Sequence, residues 1–97
     1  MTLEEMFDVR GKSVAVTGGG SGIGLAIAEV LAEHGARVAL LDIGLERAEG
    51  EAARLRALGQ DVRALRIDVA DRASVDTAID ACAQEFGGLD VMFANAG

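Results

Sequence analysis

Short apolar runs rich in β-branched residues alternate along this chain with longer stretches whose apolar residues recur three and four positions apart. Ser13-Val14-Ala15-Val16 predicts a first strand, which a cluster of glycines ends. Ile23, Ile27, Val30 and Leu31 then fall at i, i+4, i+7 and i+8, which is one face of a helix, and Gly35 stops that helix. Arg37 to Leu41 predicts a second strand, apolar enough to be buried on both faces. Leu45 to Leu58 predicts a second helix with Leu45, Ala48, Ala52 and Leu55 inward and Gly59 at its end. Its other face, which holds Glu46, Arg47, Glu49, Glu51, Arg54 and Arg56, is expected to be solvated. Gly50 weakens this helix by about 1 kcal/mol relative to Ala. Asp61 to Ile67 predicts a third strand, and Asp71 an N-cap for a third helix. Val75, Ile79, Cys82 and Phe86 form that helix's apolar stripe, Gly87-Gly88 ends it, and Leu89 to Phe93 predicts a fourth strand.

This β-α-β-α-β-α-β order predicts a parallel sheet with helices on its faces and right-handed crossovers. A chain of 97 residues holds one small domain and not two. A parallel sheet ordinarily continues past a fourth strand into another helix. Residues 1–97 are therefore expected to be the N-terminal part of one domain, truncated after the fourth strand.

Composition narrows the function classes. Half of the chain is apolar, so a core is available, and the net charge is -7. With so few cations, neither a nucleic-acid backbone nor an anionic membrane surface is an expected partner. Cys82 is the single cysteine, which rules out an intramolecular disulfide and a thiolate metal cluster. No His, Cys and carboxylate cluster has metal-ligand spacing. The acidic start does not resemble a secretory signal, and no apolar run approaches the roughly 20 residues that span a bilayer. A cytoplasmic protein is expected. His34 reads as a satisfied helix-end residue, and Asp76 with Asp80 as a solvated helix face.

The glycine cluster carries the candidate chemistry. Thr17-Gly18-Gly19-Gly20-Ser21-Gly22-Ile23-Gly24 follows a strand and opens an amphipathic helix. That context is the one in which a glycine turn cradles a pyrophosphate on unpaired helix N–H groups. Gly18 permits the sharp turn, Gly22 lets backbone approach the phosphates, and Gly24 lets helix pack on strand. Ser21 and Thr17 can add hydroxyl hydrogen bonds, to phosphate or to the turn itself. Asp42 lies 18 residues beyond Gly24, near the spacing of the acid that binds an adenosine ribose. A carboxylate there accepts from both ribose hydroxyls and repels a 2′-phosphate. No Arg or Lys lies in the turn or directly after Asp42 to neutralise that phosphate, so NAD is expected over NADP.

Thr17-Gly18-xxx-Gly22-x-Gly24 resembles the TGxxxGxG signature of the short-chain dehydrogenase/reductase family. Asp68-Val69 after the third strand and Asn95-Ala96-Gly97 after the fourth are similar to two further motifs of that family, in the same order. Ala94 stands where the family's NNAG motif has its first Asn. The resemblance implies a Rossmann-type α/β fold, a doubly wound parallel sheet, here of about four strands in order 3-2-1-4 with three helices. It implies an oxidoreductase that moves hydride between NAD and an alcohol or carbonyl. Residue by residue, it implies that Gly18, Gly20, Ser21, Gly22, Ile23 and Gly24 surround the phosphates. Asp42 and Ile43 would meet the adenosine ribose, and Asp68 and Val69 the adenine. Asn95, Ala96 and Gly97 would line the nicotinamide ribose.

The resemblance implies acid-base chemistry by the Tyr of a Tyr-xxx-Lys pair, with a Ser that orients the substrate carbonyl. This sequence has no Tyr, and its one lysine is Lys12. No catalytic residue is therefore assigned, and the 97 residues alone are expected to be inactive. A half-domain that binds a nucleotide without chemistry, or a purely structural piece, is the alternative. The fourth strand would be an open sheet edge, which predicts homo-oligomers.

Overall fold

The computed structural model describes residues 8–95. Its elements run β1 (Ser13–Thr17), α1 (Gly22–Glu33), β2 (Arg37–Asp42), α2 (Leu45–Ala57), β3 (Val62–Arg66), α3 (Arg72–Phe86) and β4 (Val91–Phe93). The four strands form one parallel sheet in the order β3-β2-β1-β4. This is the expected α/β fold, with β3 and β4 shorter at their ends than the apolar runs suggested.

Alternation along the strands divides the core into two layers. Val14, Val16, Val38, Leu40, Val62 and Ala64 face α1 and α2, where they pack on Ala28, Ala32, Ala48, Ala52 and Leu55. Ala15, Ala39 and Leu41 face the other way, onto Ala78, Cys82 and Phe86 of α3. Leu40 and Leu41 are fully buried on opposite faces of β2. Burial of this kind contributes about 1.5–3 kcal/mol per large aliphatic side chain. β3 is an edge strand, with Val62 and Ala64 buried on one face, and Arg63 exposed and Leu65 half-buried on the other. The guanidinium groups of Arg37 and Arg63 lie 5.3 and 5.6 Å from the centre of the Phe86 ring.

The helices form where expected, but α1 differs in its facing, and in α3 Ala78 rather than Ile79 joins the core. α2 runs through Gly50 and buries Ala48, Ala52 and Leu55. α3 starts at Asp71, whose carboxylate accepts from Ala73 N–H at 3.0 Å, and ends at Gly87 in the left-handed region. In α1 the buried residues are Gly24, Ala28 and Ala32. Ile23 and Val30, expected inward, are 72% and 54% exposed. The reason is distance. Three small residues at i, i+4 and i+8 bring the helix backbone close to the sheet, and the larger side chains are displaced to the neighbouring stripe. α1 is apolar over most of its circumference, so periodicity could not separate the two stripes.

β1 and β4 are tied together at both ends of their pairing. Asp90 Oδ2 accepts from Ser13 N–H at 2.8 Å, and Ser13 C=O accepts from Asp90 N–H at 2.9 Å. At the other end of the pair, Thr17 Oγ1 donates to the Phe93 carbonyl at 3.2 Å. The chain leaves β1 toward β2 and reaches β4 from β3, so strand order reverses between β1 and β4. In such sheets ligands bind outside the C-terminal strand ends at that reversal.

Candidate functional site

A cleft of about 370 Å³ opens there, lined by Gly18, Ser21, Asp42, Ile43, Ile67, Asp68, Val69 and Asn95. These residues come from the loops after all four strands. Seven of the eight are residues that the sequence singled out. Ile67 was missed. It reads as the last apolar residue of β3, yet it lies just past that strand, buried beneath the cleft.

The glycine turn has the geometry that a phosphate cradle needs. Gly18 and Gly22 adopt φ of +65° and +59°, where a side chain would be strained. A Cβ on Gly24 would collide with the Gly18 carbonyl oxygen and stand 2.8 Å from Asn95 Nδ2, so α1 could not approach the turn with any other residue there. Nothing lies within 4 Å of a Cβ built on Gly22, which leaves open space above the backbone on that side. Ser21 is the N-cap of α1, with extended backbone, and its side chain makes no capping hydrogen bond. The first-turn N–H groups and the positive end of the helix dipole therefore face the cleft mouth. An anionic diphosphate fits this cradle.

Asp42 is not a solvated strand-end acid. It is 5% exposed. Its Oδ2 accepts from Gly20 N–H at 3.0 Å, and its Oδ1 accepts from Gly44 N–H at 2.9 Å. Arg47 Nη2 donates to the same Oδ1 at 3.2 Å. The carboxylate thus fastens the glycine turn to the end of β2. A Cβ on Gly20 would approach Asp42 Oδ2 to 2.9 Å, so the glycine is required by this contact. Arg47 departs from expectation, since the sequence placed it on a solvated face with no cation near Asp42.

The other wall is partly apolar. Ile43 and Val69 are 61% and 54% exposed and both border the cleft. Asp68 Oδ1 accepts from Ala70 N–H at 3.0 Å, and Asp68 N–H donates to Ser74 Oγ at 2.9 Å. One carboxylate oxygen therefore shapes the loop while the residue borders the cleft. Asn95 is held by its backbone, whose N–H donates to Thr17 Oγ1 at 2.7 Å. The Thr17 hydroxyl, for which phosphate and turn were both open, bonds to β4 and to Asn95. Ala96 and Gly97 lie outside the described residues.

Other titratable groups belong to the scaffold. His34 Nδ1 lies 2.8 Å from the Val30 carbonyl, as a satisfied helix-end residue. Cys82 of α3 is buried against the sheet, and burial pushes its thiol up to about 11. Among the described residues no group of three His, Cys, Asp or Glu is placed to hold a metal ion. No helix there is long and apolar enough to cross a membrane.

A doubly wound parallel sheet with a glycine-rich cradle at its switch point and a buried acid at the end of β2 defines a nucleotide-binding class of α/β protein. Within that class, the short chain dehydrogenase family model matches residues 12–97, and the chain belongs to this family. It is 45% identical over 89 residues to a 2,5-dichloro-2,5-cyclohexadiene-1,4-diol dehydrogenase of Sphingobium indicum, covering 92% of this chain and 36% of that protein. It is 48% identical over 93 residues to a D-threitol dehydrogenase of Mycolicibacterium smegmatis, covering 94% of this chain and 36% of that one. Among solved structures, a hydroxysteroid dehydrogenase from Escherichia coli superimposes with a TM-score of 0.91 at 30% identity, over 97% of this chain and 40% of that one. The chain thus spans about a third of the length of the curated relatives it matches.

Proposed function

We propose that the cleft binds NAD, and that this chain supplies the cofactor-binding part of a single dinucleotide-binding domain in an oxidoreductase acting on CH–OH groups. The observation that carries this reading is Asp42. One buried carboxylate links the phosphate-cradling turn to the strand end where a ribose would lie.

In this reading Ser21 and the Ile23 N–H hold phosphate, with Gly18, Gly20, Gly22 and Gly24 shaping the turn. Asp42 and Ile43 meet the adenosine ribose. Val69 and Asp68 meet the adenine, and Asn95, Ala96 and Gly97 the nicotinamide ribose. Asp42 favours NAD over NADP because a carboxylate beside a 2′-phosphate is a like-charge contact. The bound nicotinamide supplies the hydride chemistry. The relatives' names describe dehydrogenases of a diol and a sugar alcohol, which supports a CH–OH substrate for the whole protein. The 97 residues hold no Tyr and only Lys12, so proton transfer at the substrate is assigned to no residue of this chain. By themselves they are expected to bind cofactor without reducing a carbonyl.

Two further readings follow from composition and from the sheet edge. A lone, buried Cys82 suits a reducing cytoplasm. Pairing of a sheet edge with a second copy of the chain would give a homo-oligomer. A clean monomer at micromolar concentration in sedimentation would count against the oligomer.

Calorimetric titration tests the main reading. NAD⁺ and AMP should both bind, and Asp42→Ala should weaken NAD⁺ by about tenfold or more, the scale of a hydrogen bond to a charged group. Unchanged affinity in that variant would remove Asp42 from the ribose site.

A further inference from the structure

The Asp42 carboxylate is more heavily engaged than a ribose site requires. A carboxylate offers about four lone-pair positions. Three are taken, by Gly20 N–H, Gly44 N–H and Arg47 Nη2. A ribose diol asks for two. Gly20 and Gly44 donate from backbone, fixed by the glycine turn and by the entry to α2. Arg47 donates from a flexible side chain that is 56% exposed. It is the one donor of the three that can leave without moving the chain.

Its location reinforces the point. Arg47 sits in the first turn of α2, the end of a helix where the dipole disfavours a cation. Its guanidinium folds back over Gly44, where Nη2 would stand 3.2 Å from a Cβ built on that glycine. Asp42 is what it reaches for.

We propose that Arg47 is a specificity-determining residue that moves the site's preference toward the 2′-phosphorylated dinucleotide. It competes with an unphosphorylated ribose for Asp42 Oδ1. It is also the cation that a phosphate on the ribose hydroxyl nearest Asp42 would meet, because it already stands 3.2 Å from that carboxylate. Asp42 alone selects NAD, and Arg47 narrows that selection. This rests on the reading of the cleft as a dinucleotide site with Asp42 at the adenosine ribose.

The test is titration of the full chain and of Arg47→Met with NAD⁺, NADP⁺, AMP and adenosine 2′,5′-bisphosphate. In Arg47→Met the ratio of NADP⁺ to NAD⁺ dissociation constants should rise by about three- to tenfold, the size of one partly exposed ion pair. The bisphosphate-to-AMP ratio should rise in parallel, which places the effect at the ribose. Arg47→Gln keeps a donor without the charge and should raise both ratios in the same direction. An unchanged or lower ratio in variants that still bind AMP would overturn the role of Arg47 and leave the cleft reading standing. A wild-type chain that binds neither AMP nor NAD⁺ would overturn both.

Discussion

Thr17 and Asn95 are joined by a 2.7 Å hydrogen bond in which the Asn95 N–H donates to Thr17 Oγ1. The same hydroxyl donates to the Phe93 carbonyl, so one side chain at the end of β1 secures both the last residue of β4 and the residue that borders the cleft. Thr17→Val keeps the shape and removes both bonds. It should destabilise the fold by about 1–3 kcal/mol, since a partly buried N–H is left without its partner. Thr17→Ser should recover most of that loss. Urea unfolding of the three proteins measures it, and equal midpoints would show that the hydroxyl is dispensable.

Two glycines should respond to alanine with opposite signs. Gly50 lies on the exposed face of α2, and a Cβ there meets nothing within 4 Å. Gly50→Ala should stabilise by about 0.5–1 kcal/mol through helix propensity and unfolded-chain entropy. Gly24→Ala places a Cβ against the Gly18 carbonyl and the Asn95 side chain. It should destabilise by about 1–3 kcal/mol and distort the turn. Thermal melts of both variants decide the pair, and a common sign would refute the packing assigned to α1.

Burial of Cys82 has a consequence at alkaline pH. Desolvation, aided by Glu85, pushes its thiol up to about 11, above the ordinary value of 9.0. The folded state therefore retains a proton that the unfolded chain gives up. The associated stability is complete below about pH 9 and is lost as pH rises toward about 11, on the order of 2 kcal/mol across that window. In Cys82→Ala this alkaline component should vanish from a plot of unfolding free energy against pH. The same slope in both proteins would assign it to other groups.

Most of the architecture was legible because the strands announce themselves twice. Their residues are apolar in short runs, and glycines or acids close each one. The caps at Asp71 and Gly87 were legible for the same local reason. The facing of α1 was not. Ile23, Ile27, Val30 and Leu31 have the right spacing, but Gly24, Ala28 and Ala32 have it too, and close approach to the sheet selects the small set. The candidate site was legible wherever a polar residue lies at a strand end or two positions past it, as Asp42, Asp68 and Asn95 do. Arg47 was hidden because it acts across a helix turn, at a separation where sequence suggests only a solvated face. Ile67 was hidden because a buried residue beneath a cleft looks like any other strand residue.

The most direct test of the cleft as a dinucleotide site is a residue-resolved one. Addition of NAD⁺ to the ¹⁵N-labelled protein should shift amide resonances of the turn from Gly18 to Gly24, together with Ile43, Val69 and Asn95. Amides of Glu49 and Arg56, on the outer face of α2, and of Leu58 just past its end, should stay in place. Saturating NAD⁺ that leaves the turn and strand-end amides unmoved, or shifts a different face, would contradict the site described for this chain.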